Sequence, residues 1–333
     1  LVEAAARRWQ VDAAEIQVRD GVVSHPDGNS ATFGELAGDA ATLPVPENVV
    51  LKDPSEFRLI GNPRIRRKDA AGKIDGSARF TQDVTLPGML TAVVAHAPRF
   101  GARVESFDKA PALAVRGVRQ VVEIPSGVAV LADDFWSAKL GRDALAHTMV
   151  WDENGAFKLG SADILAQYRE LAAKPGAVAR KEGDPEAAMA AAAEIVEAEF
   201  EVPFLAHAAM EPLNCVIAPD EDGVRVLNGE QFQTADQAAI AGVLGLEPQQ
   251  VRIDMLFAGG SFGRRANPKS DFPTEAAEIF KATGGKAPIK LQWTREDDTR
   301  GGWYRPLYLH RLRAGLDADG KPLAWEHRIV GQS

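Results

Sequence analysis

The stretch VRIDMLFAGGSFGRRANPKSDFPTEAAEIFKAT, residues 251–283, decides how the chain is read. Val251, Ile253, Met255 and Phe257 alternate with Arg252 and Asp254, the period-two pattern of a half-buried strand. Residues 271–283 read as a helix, with Pro273 in the first turn and Gly284–Gly285 as the stop. Between them lie Gly259, Gly260 and Gly263, followed directly by Arg264 and Arg265. Glycines take positive φ cheaply and let another molecule approach the main chain. Turned N–H groups form an anion-binding concavity, and a helix start adds its positive end. Arginine forks match phosphate. The loop therefore has the chemistry to hold a phosphorylated or polar cofactor; a tight strand-to-helix turn with two solvated arginines is the competing reading. There is no Gly-Lys-Ser/Thr, and the spacing is not Gly-x-Gly-x-x-Gly, so two familiar phosphate loops are excluded.

Upstream, NCVIAPD (214–220) and GVRVLNG (223–229) read as strands joined by the turn DEDG. After EQFQ (230–233) a helix is expected, with Thr234 and Gln237 at capping-box spacing and an end at Gly242–Gly245. The order from 224 is thus strand, loop with Gln231, helix, strand, glycine loop, helix, strand. If these strands are parallel in one sheet, right-handed crossovers put both loops at the same edge. That edge is where open α/β sheets bind ligands. Downstream, PIKLQWTRE (288–296) reads as a strand and residues 308–330 as a hairpin around Asp319–Gly320.

Toward the N-terminus, residues 1–45 read as a helix, a strand (EIQVRDGVVS, 15–24) and a second helix opening at SATFGELA (30–37). Residues 43–69 are rich in proline and charge and read as a connector. From 72 to 148 comes an α+β unit with strand-like segments at 76–84, 89–97, 103–108, 118–124 and 127–133, closed by a helix at 134–145. A polar segment at 150–183 surrounds one helix at 161–174. DPEAAMAAAAEIVEAEF (184–200) is expected to be helical, with Asp184 as its cap and Pro185 at its first position.

A chain of 333 residues has room for two or three domains at roughly 100–200 residues each. The net charge of −9 argues against a nucleic-acid surface, which needs a basic field. No apolar run reaches the roughly 20 residues of a membrane-spanning helix. Cys215 is the only cysteine, so neither an internal disulfide nor an iron–sulfur cluster is available, and it reads as a small buried hydrophobe. The chain opens on Leu1 in LVEAAARRW, which looks like the middle of a helix, so a piece of a larger protein is expected. His207 and Glu211 stand four apart, but Pro203 and Pro212 leave little room for a helix, and paired hydrogen bonding is preferred to zinc ligation. Glu296, Asp297 and Asp298 beside Arg295 and Arg300 read as a solvated charge cluster; a bend at Gly301–Gly302 with Trp303 and Tyr304 lining a pocket is the alternative.

AHAAMEPLNC (206–215), GEQFQTADQAAIAGVLGL (229–246), GGSFGRRANP (259–268) and QWTREDDTRGGWYRPLY (292–308) occur in this order. Together they resemble the molybdenum-binding large subunit of the xanthine oxidase family, in its isoquinoline 1-oxidoreductase β-subunit and aldehyde dehydrogenase branch. Residues 73–108 and the segment ALAVRGVRQVV (112–122) resemble the α/β-hammerhead domain of the same proteins. The resemblance implies an α+β chain: an upstream segment and connector at 1–62, the hammerhead at 63–150, a linker at 151–183, and the first part of a molybdenum-cofactor-binding α/β domain at 184–333. It implies a molybdenum–molybdopterin cofactor in its cytosine dinucleotide form. Gln231 matches the glutamine that faces the molybdenum, and Gly260, Ser261, Phe262 and Gly263 match the loop against metal centre and pterin. Gly259 belongs to the same loop, and Arg264 and Arg265 are placed on the cofactor's phosphates.

The implied reaction hydroxylates an aldehyde or N-heteroaromatic carbon with oxygen from water. Ala266 stands where purine-oxidising members carry a substrate-binding glutamate, so purine is not expected. The family's general-base glutamate is expected downstream of Ser333, leaving no catalytic residue in this chain; Glu230 and Glu275 match no such role. Two-iron, two-sulfur clusters are expected on a partner subunit. A non-catalytic scaffold with no cofactor is the rival reading.

Overall fold

The computed structural model describes residues 1–49 and 51–332. The chain forms two compact units, Leu1–Ala70 and Ala71–Ser333.

In the first unit, α1 (Val2–Trp9) precedes a three-stranded antiparallel sheet of β1 (Gln17–Arg19), β2 (Val22–Ser24) and β3 (Ser30–Thr32), followed by α2 (Phe33–Ala41). The single strand expected at 15–24 is a hairpin. Asp20 and Gly21 have φ of 50° and 81°, the left-handed pair that a two-residue turn needs to match strand twist. Thr32 and Glu35 close a capping box at the start of α2. Ala5, Val23, Ala31 and Leu36 form the small core. Among the described residues of the expected connector at 43–69, the one helical turn is the short 3-10 turn Pro54–Glu56.

The second unit opens with α3 (Ala70–Ile74), whose first residue lies at the boundary. Then come β4 (Leu90–His96), β5 (Arg103–Ser106), α4 (Ala110–Leu113), β6 (Val118–Ile124), β7 (Gly127–Ala132), α5 (Phe135–Ala146) and β8 (Val150–Asp152). They are followed by α6 (Ser161–Ala172), α7 (Pro185–Ala190), β9 (Glu194–Val202), β10 (Asn214–Asp220), β11 (Gly223–Asn228), α8 (Gln233–Leu244) and β12 (Val251–Met255). The last elements are α9 (Asp271–Ala282), β13 (Ile289–Gln292), α10 (Arg295–Arg300), β14 (Tyr308–Leu316) and β15 (Pro322–Gly331).

Seven strands form one mixed sheet in the order β12-β11-β10-β13-β4-β7-β6. β11 and β12 are parallel, as are β13 and β4, while β10 runs antiparallel to both its neighbours. Side chains alternate between faces along a strand. On one face Ala92 and Val94 of β4 join Cys215, Ile217, Val226, Leu291 and the helices α8 and α9 through Ile240, Phe272, Ile279 and Phe280. On the other, Val93 and Ala95 join Val128, Val130 and the helix residues Ala112, Ala138 and Leu145. Cys215 is buried and free, as expected. β5 and β8 pair in a separate ribbon.

Two elements depart from expectation. Residues 76–84 form no strand: Phe80 makes one bridge to Phe257, and its N–H donates to Asp83, closing a local turn at Thr81–Asp83. The helix expected over 184–200 stops at Ala190, although Asp184 caps it and Pro185 opens it. Glu194–Val202 is instead β9, paired along its length with β14. Period-two chemistry overrides alanine propensity here. Glu197 and Glu199 on one face pair with Arg313 and Arg311 of β14, while Val196, Ala198 and Phe200 take the other. β15, β14 and β9 thus form a second sheet, and α6 packs on it through Ile164, Tyr168 and Ala172 against Leu307 and Leu309.

Candidate functional site

Because β11 and β12 are parallel and joined by α8, the segments that leave their carboxyl ends lie at one edge of the sheet. The first carries Gln231; the second is the glycine loop. The two meet directly, since the Ser261 hydroxyl donates to Oε1 of Gln231. Below this contact the segments are tied by Leu256 N–H to Asn228 O at 2.9 Å and by Arg265 Nη1 to Gly229 O at 3.0 Å. Sequence reasoning placed Gln231 and Gly260 near each other on the condition of parallel pairing, and the sheet meets that condition.

The loop's main chain is turned. Gly260, Phe262 and Gly263 have φ of 105°, 57° and 100°. A phenylalanine in the left-handed region is uncommon and costs free energy unless its surroundings impose it. Phe262 is held there while 68% exposed. Among the described residues, the N–H groups of Gly260, Ser261, Phe262 and Gly263 have no hydrogen-bond acceptor, and neither has Nε2 of Gln231. Four main-chain donors and Nε2 of Gln231 are therefore without a protein acceptor among the described residues at this edge. Such a donor set suits an anionic or oxo-bearing group.

The two arginines behave differently from expectation. Arg265 is fully enclosed: Nε and Nη1 donate to the carbonyls of Gly260 (3.3 Å) and Gly229 (3.0 Å), and Nη2 pairs with Glu211 at 3.2 Å. Arg264 is also buried and forms a two-pronged pair with Asp271, at 3.1 and 2.6 Å. Where a phosphate contact was expected, both guanidinium groups pair with carboxylates of the chain itself, Arg264 with Asp271 and Arg265 with Glu211. The start of α9 is met internally as well. Asp271 accepts from Phe272 N–H at 2.9 Å, and Asn267 accepts from the N–H of Asp271 at 3.2 Å. Its positive end is therefore answered by the chain's own carboxylate.

Glu211 is the residue that sequence reasoning undervalued. It takes Gly259 N–H at 2.7 Å, Asn214 Nδ2 at 2.8 Å and Arg265 Nη2, while its own N–H donates to Gly259 O at 3.1 Å. Its partners are Gly259, Asn214 and Arg265 rather than His207, so the expected His207–Glu211 pairing is replaced. The strap 207–211 runs directly against Gly259 and Gly260, and a Cβ on Gly259 would stand 2.4 Å from Cβ of Glu211. Arg295 grips the strap through the carbonyls of Ala209 and Met210. Thr234 and Gln237 form no capping box; Gln237 donates to Val251 O instead.

The expected solvated cluster at 295–300 is the short helix α10, capped by Thr294 and Asp297. Asp298 is buried and pairs with Arg295 at 2.6 Å, and Arg142 reaches Asp297 at 2.9 Å. Beneath it, Glu275 of α9 accepts from Trp293 Nε1 (2.7 Å) and Ser126 Oγ (2.6 Å) and pairs with His96 Nε2 at 2.7 Å. Burial alone would lower the His96 imidazole, but Glu275 and Asp297 outweigh it and hold the ring up to about 10. Burial works to raise Glu275, and charged His96 outweighs that, leaving the carboxyl below its ordinary range. Glu230, next to Gln231, is pushed by burial and then by Asp236 up to about 8, which favours its protonated form at neutral pH.

The His96 shift has a sign. Its pKa is raised from 6.5 to about 10, so the folded chain binds an extra proton between these values. Its stabilising effect is complete below 6.5 and is lost as pH rises to about 10. Glu275 acts oppositely: its contribution is present above its ordinary value of 4.5 and is lost on acidification through its lowered pKa. Urea midpoints should therefore fall from pH 6.5 to 10 more steeply in the native protein than in His96→Gln. Parallel curves would refute the assignment.

The site's class emerges from comparison with known proteins. The molybdopterin cofactor-binding domain family matches residues 171–333, the segment that contains the strap, Gln231 and the glycine loop. In fold, the chain is similar to quinoline 2-oxidoreductase from Pseudomonas putida 86 (TM-score 0.63, 18% identity, 80% of this chain and 38% of that one). It is likewise similar to the aldehyde oxidoreductase from Desulfovibrio gigas (TM-score 0.62, 20% identity, 80% and 34%). In sequence it is 32% identical to the isoquinoline 1-oxidoreductase subunit beta of Brevundimonas diminuta, over 100% of this chain and 48% of the relative. It is 30% identical to the membrane-bound aldehyde dehydrogenase (pyrroloquinoline-quinone) of Gluconacetobacter polyoxogenes, over 99% and 44%. The chain belongs to the molybdenum hydroxylase, or xanthine oxidase, family. It spans about half the length of these two curated relatives.

Proposed function

We propose that this chain is part of the large subunit of a molybdenum hydroxylase and holds molybdopterin at the edge formed by Gln231 and residues 259–263. One observation carries the reading: four acceptor-free main-chain N–H groups stand beside an amide that Ser261 fixes in place. When bound, the cofactor supplies two-electron oxidation of an aldehyde or N-heteroaromatic carbon, with oxygen drawn from water. The chain's own part is to bind and orient. The N–H groups of Gly260 to Gly263 and Nε2 of Gln231 would donate hydrogen bonds to the bound cofactor. Ser261 fixes which way that amide faces by donating to its Oε1. Arg264 and Arg265 keep the main chain turned rather than touching phosphate. Glu230, held mostly protonated at neutral pH, adds little negative charge beside an anionic group. No residue of this chain is assigned as the catalytic base.

The cytosine dinucleotide form, and electron transfer to a separate subunit bearing two-iron, two-sulfur clusters, complete the proposal. Elemental analysis of the full-length protein should give about one molybdenum per chain, with cytidine monophosphate released on acid hydrolysis. Molybdenum far below that level, with no organic phosphate, would instead favour a scaffold without a cofactor.

A further inference from the structure

The glycine loop is supported from a direction that no motif reveals. His96 ends β4, and its ring meets the Trp293 indole edge-on, with centroids 5.2 Å apart. Glu275 bridges the two, one carboxylate oxygen on His96 Nε2 at 2.7 Å and the other on Trp293 Nε1 at 2.7 Å. The indole is also fixed through its main chain, whose N–H donates to Leu213 O at 2.9 Å. Arg264 then lies over that indole, with Cζ 5.6 Å from the ring centroid. Arg264 is the first residue after the glycine loop, and its fork is held by Asp271, one helical turn before Glu275 on α9. The contacts therefore close a ring: His96, Glu275, Trp293, Arg264, Asp271 and back along α9.

We propose that His96 is a positioning residue for the cofactor loop. Its bond to Glu275 fixes the Trp293 indole, and that surface sets where Arg264, and hence residues 259–263, can sit. A buried, charge-assisted bond is directional and strong enough to hold a bulky ring in one orientation. Without His96, Glu275 keeps Ser126 and Trp293 but loses its counter-charge, the situation in which a buried carboxylate rearranges or takes a proton. The indole is then free to tilt, and Arg264 follows it. The link to cofactor retention rests on the function proposed above; the link to the loop does not.

Two readouts separate these. In the full-length protein, hydrogen exchange at the bonded amides of Gly259, Arg264, Arg265 and Ala266 should be roughly tenfold faster in His96→Gln, the size of change expected when one strong bond is lost from a local opening equilibrium. His96→Lys, which keeps a cationic donor, should restore most of the protection. Leu309→Ala, in the core of the separate three-stranded sheet, serves as a control of lowered thermal stability that leaves these contacts alone. Molybdenum should also dialyse out of His96→Gln several-fold faster than out of Leu309→Ala. Unchanged exchange at 259–266 in His96→Gln, or equal acceleration in Leu309→Ala, overturns the positioning role. A native protein with no molybdenum, but with loop exchange that responds to His96, would sink the cofactor reading and leave the clamp standing.

Discussion

Glu211→Ala should lower the stability of the second unit by about 3–5 kcal/mol, the range for breaking a buried ion pair from one side. Arg265 is 1% exposed, and Glu211 is its only carboxylate partner among the described residues. Removing that carboxylate leaves a guanidinium enclosed with only the Gly260 and Gly229 carbonyls to receive its protons. It also strips the acceptor from the partly buried Gly259 N–H and from the buried Asn214 Nδ2. Glu211→Gln should fall between: the amide oxygen can still accept one of these bonds, but the counter-charge is gone. Urea unfolding of the two variants measures this. A loss below about 1 kcal/mol in Glu211→Ala would mean that Arg265 finds water or another partner, and that the loop does not depend on this pair.

Gly259→Ala should cost the protein its molybdenum more completely than any surface change near the loop. The new methyl would lie 2.4 Å from Cβ of Glu211, with Oε2 and the main-chain N of the same residue at 3.3 and 3.4 Å. The nearest of these is a Cβ fixed to the main chain, not the end of a flexible side chain. The strap is bound to Gly259 in both directions, N–H to carboxylate and carbonyl to N–H, so loop and strap must separate for the methyl to fit. Overpacking of this kind costs about 1–3 kcal/mol. The larger effect is on geometry, because an ångström of displacement at Gly259 moves the N–H groups of 260–263 off their target. Molybdenum per chain should fall by roughly tenfold or more, while the thermal midpoint drops by no more than about 8 °C. Native molybdenum content in this variant would remove the loop from the cofactor site.

Much of this site was legible because its architecture is periodic. Alternation at 251–257, the helix stop at Gly284–Gly285 and the strand–helix–strand order from 224 brought Gln231 towards Gly260 once parallel pairing was assumed, and the sheet supplies that pairing. What the sequence hid was direction. Arg264 and Arg265 look like phosphate ligands in one dimension, yet their acceptors, Asp271, Glu211, Gly229 and Gly260, lie seven, 54, 36 and five positions away and cannot be ranked without the fold. His96 and Glu275 are separated by 179 positions, so no spacing rule joins them. Asp298 reads as one more surface acid until α10 is seen to bury it. At 194–202 a true strand pattern stood in plain view, but the alanines before it extended the expected helix across it.

The pairing of β4 with β13 has a consequence for how the protein is made. Residues 90–92 hydrogen-bond in parallel to residues 289–291, a partner that leaves the ribosome almost 200 positions later. Until then β4 and its neighbours β7 and β6 emerge as a half-sheet with an open margin of unpaired amides, which invites other chains to add to it. Closing so distant a parallel pair is slow, because a long loop must be ordered before any contact compensates. The nascent chain should therefore stay sensitive to protease until residue 292 has cleared the exit tunnel.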